Sequence, residues 1–210
     1  MQGCFITLEG PDGSGKSTII KLLGEYFQQK GIDFIMTREP GGTPIGEKIR
    51  EIILDNGNTA MGPETEALLY AASRGQHVHE KIIPALKEGK VVLCDRFILS
   101  SLAYQGVGRG LGIKEVKMIN DFALKGIYPD LILFFHIDPE ITLSRKTEKL
   151  GGDRLEKEGN EFHKRVYDGY MELLKMYPKN IEIIDATRSI EEVLEHSIDT
   201  IEKLLNTKEG

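Results

Sequence analysis

The chain has 210 residues, 40% of them apolar and 29% charged, with a formal charge of −6. A chain of this length buries roughly 70% of its unfolded surface without disulfide or metal staples, which excludes small-scaffold, fibrous and disordered classes. The longest apolar run, Leu131–Phe135, falls far short of a spanning helix, and the interspersed charges lack the basic stripe that grips nucleic acid, so membrane insertion and bulk nucleic-acid binding are excluded as well.

In chain order, Cys4–Glu9 reads as a strand and Ser17–Gln29 as a helix stopped by Gly31. Asp33–Thr37 is a second strand. Two helices follow, Ile45–Leu54 and Glu64–Ser73, punctuated by Gly62 and Pro63, and then a third strand, Val91–Cys94. Ile113–Leu124 is amphipathic, Leu131–Ile137 is the fourth strand, Phe162–Met176 is again amphipathic, Glu182–Ile184 is the fifth strand, and Ile190–Leu205 is a closing helix. The third and fourth strands are almost unbroken in apolar character, so both sheet faces must be covered. A single α/β domain over residues 1–210 is therefore expected, with a doubly wound five-stranded parallel sheet flanked by helices. Ligands of such sheets sit beyond the carboxyl ends of the strands. The charged, glycine-containing stretch around 145–156 is the expected lid. Cys4 and Cys94 are expected at opposite ends of neighbouring strands, too far apart to bridge. No export signal precedes the first strand, so a cytoplasmic protein is expected.

Gly10, Pro11, Asp12, Gly13, Ser14, Gly15, Lys16 and Ser17 have the spacing of a glycine-rich phosphate loop between a strand and a helix. Its amides, with those around Thr18, are expected to face a nucleoside triphosphate. Lys16 reaches the β and γ oxygens, and the Ser17 hydroxyl binds Mg²⁺. No Asn-Lys-x-Asp string occurs, which disfavours a regulatory GTPase, and the chain is short for a two-core motor. Asp95, at the end of the third strand, is the expected metal-organising carboxylate. Asp138 is its rival, but Pro139 after it reads as a helix start. Arg38 and Arg96 follow the second and third strands, and Arg145 and Arg154 flank the lid. Arginine suits bidentate phosphate recognition, so a second phosphate group is expected; pairing with surface carboxylates is the alternative. Glu9 and Asp12 flank the loop, where a carboxylate is repelled by phosphate unless it meets a metal or a sugar hydroxyl. The histidines lack zinc-ligand spacing, and no serine, histidine and aspartate stand in a nucleophile-elbow context. A phosphate-loop sensor without transfer activity is the competing class, and the second arginine set argues against it.

Together these motifs resemble the thymidylate kinase family over nearly the whole chain. The resemblance rests on Phe5-Ile6-Thr7-Leu8-Glu9-Gly10 with the loop after it, Thr37-Arg38-Glu39-Pro40-Gly41-Gly42-Thr43 and Ala71-Ala72-Ser73-Arg74. It continues through Asp95-Arg96 with Ser100 to Gly106, Tyr128-Pro129-Asp130 and Asp153-Arg154-Leu155-Glu156. It implies phosphorylation of dTMP by MgATP in a homodimer. It also implies that Arg38 and Arg96 hold the acceptor phosphate, that Asp12 lies near the deoxyribose, and that Tyr70 stacks on thymine. Arg74 would bond a base carbonyl, Ser101 and Gln105 would read the Watson–Crick edge, Tyr104 would crowd the 2′ carbon, and Arg50 would lie nearby. Gly13 within the loop resembles the bacterial type, in which Arg154, with Arg145, brings catalytic charge from the lid. Tyr70 stands where the family commonly has Phe, Phe97 and Leu99 replace its usual Tyr and Asp, and Lys149 occupies a lid position often held by Arg.

Overall fold

The computed structural model describes residues 3–138, 141 and 152–209. Five strands, β1 (Cys4–Glu9), β2 (Phe34–Arg38), β3 (Val91–Asp95), β4 (Leu131–His136) and β5 (Ile181–Asp185), form one sheet in the order β2-β3-β1-β4-β5. Every neighbouring pair is parallel. The period of two along each strand divides two cores. Cys4, Ile6 and Leu8 of β1, with Val91 and Leu93 of β3 and Leu131, Leu133 and Phe135 of β4, face helices α1 (Lys16–Lys30) and α8 (Ile190–Glu209). Phe5, Val92, Cys94 and Phe134 alternate to the other face, which is covered by the segments 78–85 and 97–104 with α6 (Ile113–Leu124) and α7 (Asn160–Met176), while Tyr70 of α3 (Pro63–His77) packs at its margin. Cys4 stands opposite Val91 and Cys94 opposite Thr7, so the buried thiols are three residues out of register and neither is bridged.

Local chemistry sets the element ends. Gly31 closes α1 in the left-handed region, with its N–H on Gln28 and that of Ile32 on Phe27, a double C-terminal cap. Helix α2 (Pro44–Leu54) starts with Pro44 in its first turn, and the Thr43 side chain accepts from Gly46 N at 3.1 Å. Beyond the expected elements, the chain is helical through Val78–Ile82 in a wide π turn into α4 (Ile83–Lys87). It is helical again from α5 (Ile98–Ser101) into a second π stretch, Leu102–Gly108. The latter has no amphipathic period because Ile98 to Gly106 are buried without interruption. Among the described residues, no helix is long and apolar enough to cross a membrane.

Of the expected lid, Arg145 and Lys149 lie outside the described residues. Its final residues pack against the body of the domain. Leu155 is buried in the core beneath α7, Arg154 N donates to Leu54 O at 3.3 Å, and the Asp153 carboxylate accepts from the amides of Leu155 and Glu156.

Candidate active site

The loop leaves β1 at Gly10 and enters α1 at Lys16. Gly10 has φ 135°, and a Cβ there would stand 2.6 Å from the Phe135 carbonyl oxygen, so only glycine fits this passage between β1 and β4. No side chain caps α1, so none competes for the amides that open the helix. Lys16 closes over the loop, donating from Nζ to Gly10 O at 3.0 Å, Pro11 O at 2.7 Å and Ser14 Oγ at 3.2 Å. Burial, with the Arg96 charge adding to it, lowers its pKa to about 7. Ser17 and Asp95 line one groove beside the loop, and Asp95 Oδ1 is buried with no hydrogen-bond partner among the described residues. A buried, unpartnered carboxylate oxygen that shares a groove with a hydroxyl is a donor set that suits a hard cation such as Mg²⁺.

Arg96, directly after β3, has φ 65°, a conformation costing on the order of 1 kcal/mol for a non-glycine residue. Its contacts explain what holds it there. The backbone N–H bonds Leu8 O at 2.9 Å, Nη1 donates to Gly10 O and Ser100 Oγ at 3.0 Å each and to Tyr170 OH at 3.2 Å, and Nη2 pairs with Asp12. The second Asp12 oxygen accepts from Tyr104 OH at 2.8 Å. Asp12 therefore meets a guanidinium, the partner that removes the repulsion expected beside phosphate. Glu9 is fully buried and accepts from Phe97 N at 2.9 Å, from Ser100 N at 3.3 Å and from Ser100 Oγ, tying β1 to the start of α5. Burial raises its pKa against those bonds.

Asp12, Arg38, Arg50, Tyr70, Arg74, Arg96, Ser101, Tyr104 and Gln105 all line one cavity, with Asp95 at its junction with the metal-side groove. They come from the loop, the β2–α2 region, α3 and the α5–π segment, so the sheet order brings together residues that no local pattern links. Arg38 also pairs with Glu47, at 2.8 and 3.0 Å, on the exposed side. Arg74 is 2% exposed and donates to Glu39 Oε2 at 2.7 Å, Ser101 Oγ at 2.9 Å and Phe97 O at 3.0 Å, and to Asn120. The other Glu39 oxygen meets His77 Nδ1 at 2.9 Å, and His77 Nε2 meets Thr37 Oγ1 at 2.7 Å, so His77 is a satisfied core histidine. Phe97 and Leu99 point into the core, and the Arg74 guanidinium lies over the Phe97 ring. Arg154 is not on the cavity wall. Its Nε donates to Ile53 O at 2.9 Å and its Nη2 to Glu66 at 2.5 Å, so in this conformation it anchors the chain to α2 and α3 rather than meeting the loop.

Several supporting residues escape a reading of the sequence. Tyr170, on α7, looks like one more apolar position of an amphipathic helix, yet its hydroxyl bonds both Arg96 and Ser100. Glu66, Tyr70 and Arg74 recur every fourth residue, which stacks them on one face of α3; that spacing is the signal from which Glu66 was recoverable.

A phosphate loop at the carboxyl edge of a 2-3-1-4-5 parallel sheet, sharing Arg96 and Asp95 with an arginine-rich cavity, defines a phosphate-loop kinase. The family profile described as thymidylate kinase matches residues 8–197. The chain is 62% identical to the thymidylate kinase of Finegoldia magna over 199 residues, covering 95% of this chain and 98% of that one, and 54% identical to that of Clostridium novyi, covering 92% and 96%. The crystal structure of thymidylate kinase from Ehrlichia chaffeensis superposes with a TM-score of 0.78 at 31% identity, covering 96% of this chain and 99% of that chain. The chain belongs to the thymidylate kinase family, and its chemistry is that of a nucleoside monophosphate kinase.

Proposed function

We propose that the protein transfers the γ-phosphoryl group of ATP to dTMP, giving ADP and dTDP. The observation that carries this reading is the sharing of Arg96 between two sites: one amine of its guanidinium holds the loop carbonyl of Gly10, while the side chain also lines the cavity of the second arginine set. ATP lies along Gly10–Thr18 and dTMP in the cavity. An oxygen of the dTMP phosphate forms the new bond to the γ-phosphorus as the bond to the β–γ bridging oxygen breaks, and ADP leaves with that electron pair. The acceptor phosphate is already nucleophilic, so no general base is required. Lys16 gathers the β and γ oxygens, and Arg96 and Arg38 hold the acceptor phosphate. Ser17 and Asp95 would hold Mg²⁺, which supplies charge neutralisation at the donor phosphates. Arg154, released from Glu66, or Arg145 would bring further positive charge from the lid.

Selectivity follows from the walls. Tyr70 stacks on the base, and Arg74, Ser101 and Gln105 meet its polar edge. Tyr104 is fixed by its bond to Asp12 and by edge contacts with Phe162 and Tyr170, so its ring opposes a ribose 2′-hydroxyl. The thymine methyl contributes only about 1 to 3 kcal/mol of discrimination over uracil. A panel of acceptors tests the reading: ADP release from ATP is expected to depend on added dTMP, to be weaker with dUMP and ribonucleotides, and to stop on chelation of Mg²⁺. ADP release independent of any monophosphate would favour a nucleotide sensor. We further propose a homodimer, because α3 and α6 leave Leu68, Met118 and Phe122 exposed by 56%, 67% and 89%. Sedimentation of the same material at about the monomer mass would contradict it.

A further inference from the structure

Glu66 lies on α3 behind the cavity wall and is 1% exposed. Oε1 accepts from Gln105 Nε2 at 3.0 Å and Arg109 Nε at 3.1 Å, and Oε2 accepts from Arg109 Nη2 at 3.0 Å and Arg154 Nη2 at 2.5 Å. A carboxylate has about four lone-pair positions, so this one is fully occupied. Burial works to raise its pKa, but the bonds from Arg109, Gln105 and Arg154 outweigh it and hold the group below the ordinary carboxylate value. Glu66 is therefore an acceptor only. A primary amide has a donor end and an acceptor end, and the donor end of Gln105 must face Glu66. Its Oε1, which takes no bond from the described residues, is left for the cavity that Gln105 lines. On the same wall Arg74 Nη1 donates to Ser101 Oγ. A guanidinium never gives up its charge, so Ser101 accepts there and keeps its own O–H hydrogen for the cavity.

We propose that Glu66 is a specificity-positioning residue: by fixing the Gln105 amide it sets an acceptor oxygen beside the Ser101 donor. That pair complements a pyrimidine with a ring N–H next to a carbonyl, as in thymine, and opposes one with a bare ring nitrogen next to an amino group, as in cytosine. The inference rests on the reading that the acceptor base occupies this cavity.

The test compares kcat/KM for dTMP and dCMP in the wild type, Glu66→Gln and the double variant Glu66→Gln, Gln105→Glu. In Glu66→Gln the arginine donors on Oε2 keep an oxygen there and the new NH₂ replaces Oε1, so Arg109 Nε loses its acceptor, a cost common to both nucleotides, and Gln105 turns over to present its own NH₂ to the base. The dTMP-to-dCMP ratio is expected to fall about 10- to 100-fold, chiefly through dTMP. In the double variant the carboxylate at 105 again offers an oxygen, and the ratio is expected to return to within about threefold of the wild type. Equal losses on both nucleotides, with the ratio unchanged, would reduce Glu66 to a structural role and overturn the proposal. A wild-type chain inactive on dTMP would instead overturn the functional reading. Should Glu66→Gln fail to fold, NMR of the wild type decides: the Gln105 side-chain amide, assigned with Gln105→Met, is expected to exchange with solvent at least about tenfold slower than exposed glutamine amides, and equal exchange would overturn the proposal.

Discussion

Arg96→Ala is expected to lower kcat/KM for dTMP by about 10³-fold or more, the scale of a guanidinium that stabilises transferring phosphoryl charge. Two effects add. The acceptor phosphate loses its fork, and Asp12 loses its counter-charge, becoming a bare carboxylate beside the anion it must tolerate. Arg96→Lys is expected to recover little, because an ammonium cannot span Gly10 O, Ser100, Tyr170 and Asp12 together. Arg96→Gly supplies the control for folding. Glycine relieves the φ of 65°, so this variant is expected to melt higher than Arg96→Ala while being equally inactive. Steady-state kinetics and thermal denaturation of the three variants measure this, and a loss of activity below about tenfold in Arg96→Ala would remove Arg96 from the reaction.

Lys16 yields the second large effect and a proton count. Its pKa lies near 7 because burial and Arg96 disfavour the ammonium. At pH 8 a share of the chains therefore carries a neutral Lys16. A polyphosphate on the loop favours the charged form and raises this pKa, so ATP binding is expected to take up a fraction of a proton per site at pH 8, where ATP itself is fully ionised. Calorimetry in buffers of different ionisation enthalpy measures it. The uptake is expected to vanish in Lys16→Met, whose turnover falls about 10²- to 10³-fold. Wild-type binding without uptake would mean that Lys16 is already charged in the free loop or does not meet the phosphates.

The parts of this site that were legible in the sequence are those whose chemistry is local. The loop announces itself because glycines, Lys16 and Ser17 must stand at fixed offsets for one backbone stretch to cradle phosphate. The almost unbroken apolar character of β3 and β4 likewise reports two covered faces. The α5–π segment was not legible, since a helix buried all round presents no polar face to set a period. Nor were the partners of Glu9 and Asp12, because Phe97, Ser100 and Arg96 reach them from more than 80 positions away along the chain, across the β1–β3 pairing. Arg154 shows the converse. Its place in a lid motif points to phosphate, but the bonds it makes here, to Glu66 and Ile53 O, join residues 88 and 101 positions apart and leave no local pattern.

The claim on which the mechanism stands is that donor and acceptor phosphates meet across Arg96, and a single ligand spanning both places tests it. Adenosine and thymidine joined through five phosphates are expected to bind with one molecule per chain, at least about 10²-fold tighter than ATP or dTMP alone, and to lose that advantage in Arg96→Ala. Affinity no better than that of ATP, with dTMP still able to bind alongside, would contradict the account.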